Sequence, residues 1–189
     1  MLFQDPAIIA FVAVYDLAVI AALGLLVFAC VTDFLTMTIP NWISVAVLAA
    51  FGIAFGVATL IHFPVFENWK MHGAALALMF GLTFIMFICR VWGAGDSKLA
   101  SAVALWIGLK GFMTFMVVMS FTGVGLVALY FILRKTKMDF SALGEHSWPI
   151  RIRAGEKTIP YGIAIAFGAL WTFVDLGYLD LSNLLQGLL

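Results

Sequence analysis

The chain has 189 residues, of which 65% are hydrophobic and only 11% are charged. Soluble domains are nearer half apolar and a quarter charged, so this composition excludes an ordinary soluble domain and favours a bilayer as the solvent. The net charge of zero gives nucleic-acid binding no electrostatic basis. The two cysteines, Cys30 and Cys89, stand apart, which excludes a zinc site built on cysteine pairs. Residues 1–6 lack the basic stretch of a removable signal peptide.

Six apolar segments follow in chain order, and each is a candidate for a membrane-crossing helix. They are residues 6–32, 43–63, 73–91, 97–109, 112–133 and 161–176. The fourth is short, because 13 residues of helix reach only about 20 Å. We predict an all-α polytopic membrane protein with six transmembrane helices, in which residues 1–189 form a single domain.

The basic residues predict how this bundle sits in the membrane. Eight of the ten Lys and Arg residues lie in the connections 33–42, 90–98 and 134–158, and cytoplasmic loops are enriched in such residues. Six helices put all three connections on the cytoplasmic side and both termini on the extracytoplasmic side. Omitting the fourth helix would expose the six basic residues of 134–158 outside, so six helices are preferred.

The long cytoplasmic connection contains an alternation of Ile and Arg over residues 150–153, followed by Ala-Gly-Glu-Lys. Alternation followed by turn residues is typical of a hairpin. We therefore expect a short cytoplasmic hairpin around residues 150–159.

Two aspartates occur at one face of the predicted bundle. Asp33 ends the first segment and Asp96 precedes the fourth, both at the cytoplasmic side. Asp16 lies about 25 Å from Asp33 along one helix, and Asp175 lies toward the outer end of the sixth segment. Two carboxyl groups in one site share a proton and supply an acid and a base, although either aspartate alone is more typical of an interfacial or capping residue at a helix end.

Small and basic residues surround Asp96. Gly93 and Gly95 permit unusual backbone conformations and close approach, and are expected to shape an active-site loop. Lys98 either favours an ionised carboxylate, contacts an acidic residue of a ligand, or extends to the membrane interface.

Further groove candidates follow Asp33 and precede the last segment: Pro40, Asn41, Pro160, Tyr161 and Gly162. Pro40 and Pro160 are equally typical of the start of a helix.

The segments VTDFLTMTIPNW (31–42), GAGDSKLASAVALWIG (93–108) and TIPYGIAIAFGAL (158–170) together resemble the prepilin peptidases. The resemblance implies an intramembrane aspartyl protease of the Gly-x-Gly-Asp type, with Asp33 and Asp96 as its catalytic pair. It implies a prepilin or pseudopilin substrate, with a short basic leader and a hydrophobic N-terminal helix, cut at the cytoplasmic face of the bacterial inner membrane. Larger members carry a cysteine-containing insert and N-methylate the product, whereas here ten residues join Asp33 to Ile43.

The sequence therefore predicts a peptidase without methyltransferase activity, metal or cofactor. It is similar to the short enzymes of tight-adherence (Flp-type) pilus systems, and an archaeal preflagellin-type peptidase is the neighbouring alternative. Two different classes stay open: a proton-coupled transporter, which favours midplane charges and repeated halves, and a membrane assembly protein without enzymatic activity.

Overall fold

The computed structural model describes residues 6–61, 66, 68–136, 138 and 140–179, and every regular element in these ranges is helical. The elements are α1 (Pro6–Thr36), α2 (Asn41–Leu60), α3 (Trp69–Ile88), α4 (Ala94–Lys135), a 3-10 turn (Ser141–Leu143), α5 (Trp148–Arg153) and α6 (Tyr161–Asp175). The all-α prediction is confirmed for this part of the chain.

Four of the described helices are long and apolar enough to cross a membrane: Ile9–Thr36 within α1, then α2, α3 and α4. Helix α6 is apolar but has only 15 residues. Many large apolar side chains on these helices face outward, for example Leu17 and Phe121 at 65% and 75% exposure. Such a surface is stable in lipid rather than in water, so these helices indicate an integral membrane protein.

The predicted fourth and fifth segments form one element, α4, which is broken at Gly108. Gly108 has φ 60° and ψ −174°, a conformation that is essentially confined to glycine. The predicted boundaries left Lys110 and Gly111 as the connection. The break lies slightly earlier because Gly108 is the residue that adopts this conformation without a Cβ clash.

The chain reverses direction at this break. Trp92, two residues ahead of α4, packs its ring against Tyr161 at the start of α6, with centroids 5.4 Å apart. A Cβ on Gly111 would lie 2.7 Å from Thr172, near the end of α6. A Cβ on Gly123 would again lie 3.6 Å from Tyr161. The first part of α4 therefore leads away from the start of α6 and the second part returns to it.

Two side chains, one from α3 and one that follows α6, bind the backbone carbonyls that lose their helical partners at the break. The Nδ1 atom of His72 lies 2.8 Å from the Leu105 carbonyl, and Tyr178 donates its hydroxyl to the Trp106 carbonyl at 2.8 Å. Since a carbonyl only accepts, His72 carries its proton on Nδ1. Burial raises the pKa of Tyr178, so its hydroxyl remains a neutral donor. These bonds satisfy the backbone where water is excluded.

The hairpin predicted around residues 150–159 is wrong, because the structure contains the short helix Trp148–Arg153 there. Pro149 occupies the first turn, where its missing N–H costs nothing. Trp148 and Ile152 are buried on the core side of this helix. An alternation of only four residues is too short to distinguish the period of a strand from that of a helix.

Some predictions lie outside the described residues. These are the positions of the two chain ends, within 1–5 and 180–189.

Candidate functional site

Asp33 lies in the last turn of α1 and is almost fully buried, with 5% of its surface exposed. Its Oδ2 atom accepts a hydrogen bond of 2.7 Å from the backbone N–H of Gly162, 129 residues away and in the first turn of α6. A helix start presents free N–H groups and favours negative charge. The start of α6 therefore holds the Asp33 carboxyl in place.

Asp96 lies in the first turn of α4 and is partly exposed. Its Oδ2 atom accepts a 3.2 Å hydrogen bond from the backbone N–H of Gly93, the residue that caps this helix. The capping role considered for Asp96 is thus present in the structure. The partial exposure leaves its carboxyl accessible at the end of the bundle.

The two aspartates come together where α1, α4 and α6 meet. Ile39, in the connection after α1, packs against both neighbouring helix starts. A Cβ on Gly162 would lie 3.2 Å from Ile39 Cδ1, and a Cβ on Gly95 would lie 3.2 Å from Ile39 Cβ.

The two glycines before Asp96 provide space rather than unusual backbone conformation. Gly93 has φ −75° and ψ 151°, which any residue adopts, and Gly95 lies within the first turn of α4 without a positive φ. A Cβ on Gly93 would lie 2.7 Å from Asp96 Oδ2. The expectation of close approach is confirmed, whereas the expectation of special backbone geometry is wrong for this pair.

Lys98 extends across to the start of α2, where its Nζ donates to Asn41 Oδ1 at 2.8 Å. Both side chains are exposed, and Pro40 precedes Asn41 as the residue that caps α2. This bond connects the helix that carries Asp96 to the segment that follows Asp33.

Pro160 and Tyr161 lie directly before Gly162, at the start of α6. Tyr161 contacts Trp92, and both line a cavity of about 300 Å³ between α3 and the second part of α4. The sequence interpretation did not single out Trp92, although its position directly before the Gly93–Asp96 segment was an available signal.

The arrangement combines two carboxyl groups from separate helices, each held by a backbone N–H, at one end of an apolar bundle. Such a pair can divide one proton between an acid and a base. Within the described ranges, no group of three or more His, Cys, Asp and Glu side chains could hold a metal ion.

Comparison with known families gives a match to the model of the type IV leader peptidase family over residues 20–128. The chain belongs to this family. The match covers more than half of the sequence, and it confirms the resemblance to the prepilin peptidases. Membership indicates a protease with a peptide substrate in a lipid environment. Neither the search of curated proteins nor that of solved structures returns a match.

The part matched to the type IV leader peptidase family includes Asp33, Asp96 and the residues between them. Helix α6 lies beyond it, and so does the Gly162 N–H that binds Asp33. The contact between Gly162 and Asp33 is therefore an observation of the structure, independent of the family match.

Proposed function

We propose that this type IV leader peptidase is an intramembrane aspartyl endopeptidase in which Asp33 and Asp96 are the catalytic pair. The observation that carries the proposal is the convergence of the end of α1 and the start of α4, where Ile39 packs against both Gly162, which binds Asp33, and Gly95, which adjoins Asp96. Asp16 and Asp175 are not part of the pair. Asp175 accepts from Thr114 at 3.3 Å near the other end of α6.

The proposed reaction needs only the two carboxyl groups and one water molecule. The ionised aspartate removes a proton from the water, whose oxygen then attacks the carbonyl carbon of the scissile peptide bond. The protonated aspartate donates to the carbonyl oxygen as the tetrahedral intermediate forms. The first aspartate then gives its proton to the leaving nitrogen, while the second aspartate takes a proton back from a hydroxyl of the intermediate. The C–N bond breaks to release an amine and a carboxylic acid, and the pair again holds one proton.

The proposed substrate is a prepilin or pseudopilin, from which the enzyme removes the short basic leader. The hydrophobic helix of such a substrate would enter the bilayer beside the bundle. The basic leader would remain outside the bilayer, at the end of the bundle where the two aspartates lie. We propose no methyltransferase activity, since only the short segment 37–40 separates α1 from α2.

The proposed topology has six passes, because the two parts of α4 run in opposite directions and α6 adds a further pass. The aspartate end then faces the cytoplasm, both chain ends are extracytoplasmic, and the membrane is the bacterial inner membrane. The family match favours a peptidase over a transporter or a structural assembly protein.

The catalytic proposal is tested by co-expression with the pilin-like reading frames encoded beside this gene, followed by N-terminal sequencing. Asp33→Asn and Asp96→Asn should each abolish processing, because a side-chain amide can neither take a proton from water nor donate one as a carboxylic acid does. Asp16→Asn on the same helix as Asp33, and Asp175→Asn near the end of α6, are matched controls that should retain processing. Full activity of either catalytic variant would refute the mechanism. A preflagellin as the only substrate processed would favour the neighbouring archaeal-type activity.

The orientation is tested with a membrane-impermeant thiol reagent. Cys89 is exposed at the aspartate end, directly after α3. It should react in inverted inner-membrane vesicles but not in right-side-out ones. The variant Lys110→Cys in a Cys89→Ser background carries its exposed thiol at the opposite end of the bundle. This thiol should react in right-side-out vesicles but not in inverted ones. Labelling of Cys89 from the periplasmic side would contradict the proposed topology.

A further inference from the structure

A cavity of about 300 Å³ lies between α3 and the second part of α4, directly beside the aspartate pair. Four methionines line it: Met79, Met86, Met116 and Met119. Methionine side chains are flexible and polarisable, and they suit surfaces that accommodate varied apolar partners. We refer to this cavity as the methionine groove.

The methionine groove is continuous with the candidate site through two aromatic residues. Trp92 precedes Gly93, whose N–H binds Asp96, and Tyr161 precedes Gly162, whose N–H binds Asp33. The rings of Trp92 and Tyr161 contact each other at 5.4 Å and form part of the groove wall. A chain segment in this groove would therefore contact Trp92 and Tyr161. Each of these residues directly precedes the glycine whose N–H holds one of the two carboxyl groups.

Trp92 presents an unused hydrogen-bond donor in this wall. Its side chain is 7% exposed, and within the described part of the chain its indole N–H has no acceptor. By contrast, the buried indoles of Trp106 and Trp148 donate to the carbonyls of Val47 and Thr158, both at 2.9 Å. A buried donor without a partner is costly and rare, so its position indicates an acceptor that arrives with a ligand.

We propose that the methionine groove receives the apolar segment of the substrate next to the scissile bond, and that Trp92 donates to a backbone carbonyl of that segment. This inference rests on the proposed function. The carbonyls of an intact helix are already bonded to N–H groups four residues on. Only a locally unwound segment offers a free carbonyl, and proteolysis requires an unwound peptide bond. Trp92 is thus a positioning residue that stabilises the unwound substrate.

Crosslinking tests the position of the substrate without requiring cleavage. The enzyme carries Asp96→Asn, with Cys30 and Cys89 replaced by serine, and the probe is a synthetic peptide with a lysine-rich leader, one cysteine and a Leu/Ala helix of about 20 residues. Ser120→Cys, in the groove wall, should form a disulfide with the probe. Gly125→Cys, on the other face of the same helix and with no neighbour within 4 Å, is the control. Equal crosslinking of the two variants, or none at Ser120→Cys, would overturn the proposal and leave lipid as the occupant.

The hydrogen bond is tested with Trp92→Phe, which keeps an aromatic ring but removes the donor. We expect kcat/KM for a processed prepilin to fall at least about fivefold, because the substrate carbonyl loses its partner. The melting temperature of the substrate-free enzyme should not fall as far as in Trp106→Phe, which loses an internal bond. Unchanged kcat/KM, or parallel losses of activity and stability, would refute the role of Trp92. Failure of the wild type to process any prepilin would instead refute the proposed function, while the crosslinking result would still decide the groove.

Discussion

The close packing of Gly162 against Asp33 makes Gly162→Ala a sharp test of the proposed catalytic arrangement. The added Cβ would lie 2.9 Å from Asp33 Oδ2, 3.0 Å from Asp33 Cβ and 3.2 Å from Ile39 Cδ1. Relief to ordinary contact requires the carboxyl group to move by about 0.5 Å. That movement also stretches or breaks the 2.7 Å bond from the Gly162 N–H.

Displacements of this size matter in an active site, since a misplacement of about 1 Å can lower a rate about 100-fold. We expect kcat for prepilin processing to fall about 10- to 100-fold in Gly162→Ala, which corresponds to a loss of about 1.4–2.7 kcal/mol of transition-state stabilisation. The KM should change little, because the substitution lies behind Asp33 rather than in the methionine groove.

The measurement is a time course of leader removal in detergent micelles or liposomes, together with a thermal melt of each variant. Gly52→Ala in α2 is the matched control, since its Cβ would meet no atom within 4 Å. It should retain wild-type kcat. If Gly162→Ala retained wild-type kcat as well, the position of Asp33 seen here would not be the one that reacts.

Two further predictions concern the surroundings of the site. Lys98→Met and Asn41→Ala each remove the 2.8 Å bond between α4 and α2. Because both groups are exposed, each should lower stability by less than about 1 kcal/mol, and the double variant should cost no more than either single one, which a double-mutant cycle of melting measurements checks. Gly108→Ala should cost about 1–3 kcal/mol, because it forces a side chain into a backbone conformation that suits glycine and places its Cβ 3.1 Å from His72. Denaturant unfolding in detergent measures this cost, and a Gly108→Ala variant as stable as the wild type would argue against the observed break.

The sequence predicted that Asp33 and Asp96 lie at the same end of the bundle, because this placement depends on topology alone. Asp33 and Asp96 lie at segment ends, and the distribution of basic residues placed those ends on one side. The bond from Gly162 to Asp33 could not be predicted in the same way. It joins residues 129 apart in the chain, and no local pattern reports which helix start will meet a given carboxyl group.

The errors of interpretation have a common physical origin, since several conformations suit the same short pattern. The alternation in residues 150–153 fits a strand, yet the burial of Trp148 favours a helix. The glycines before Asp96 suggested unusual backbone angles, whereas tight contacts with Asp96 and Ile39 account for them.

The reversal at Gly108 also has a consequence for biosynthesis. The first part of α4 carries Asp96, and its free end is bonded by His72 from an earlier helix and by Tyr178 from beyond α6. During translation, the hydrogen bond to the Trp106 carbonyl therefore cannot form until Tyr178, 72 residues later, has been synthesised. The segment that holds Asp96 is completed only once residues up to Tyr178 have emerged from the ribosome. Nascent or truncated chains that lack Tyr178 would leave this helix incompletely bonded, which couples assembly of the Asp33–Asp96 pair to completion of the bundle.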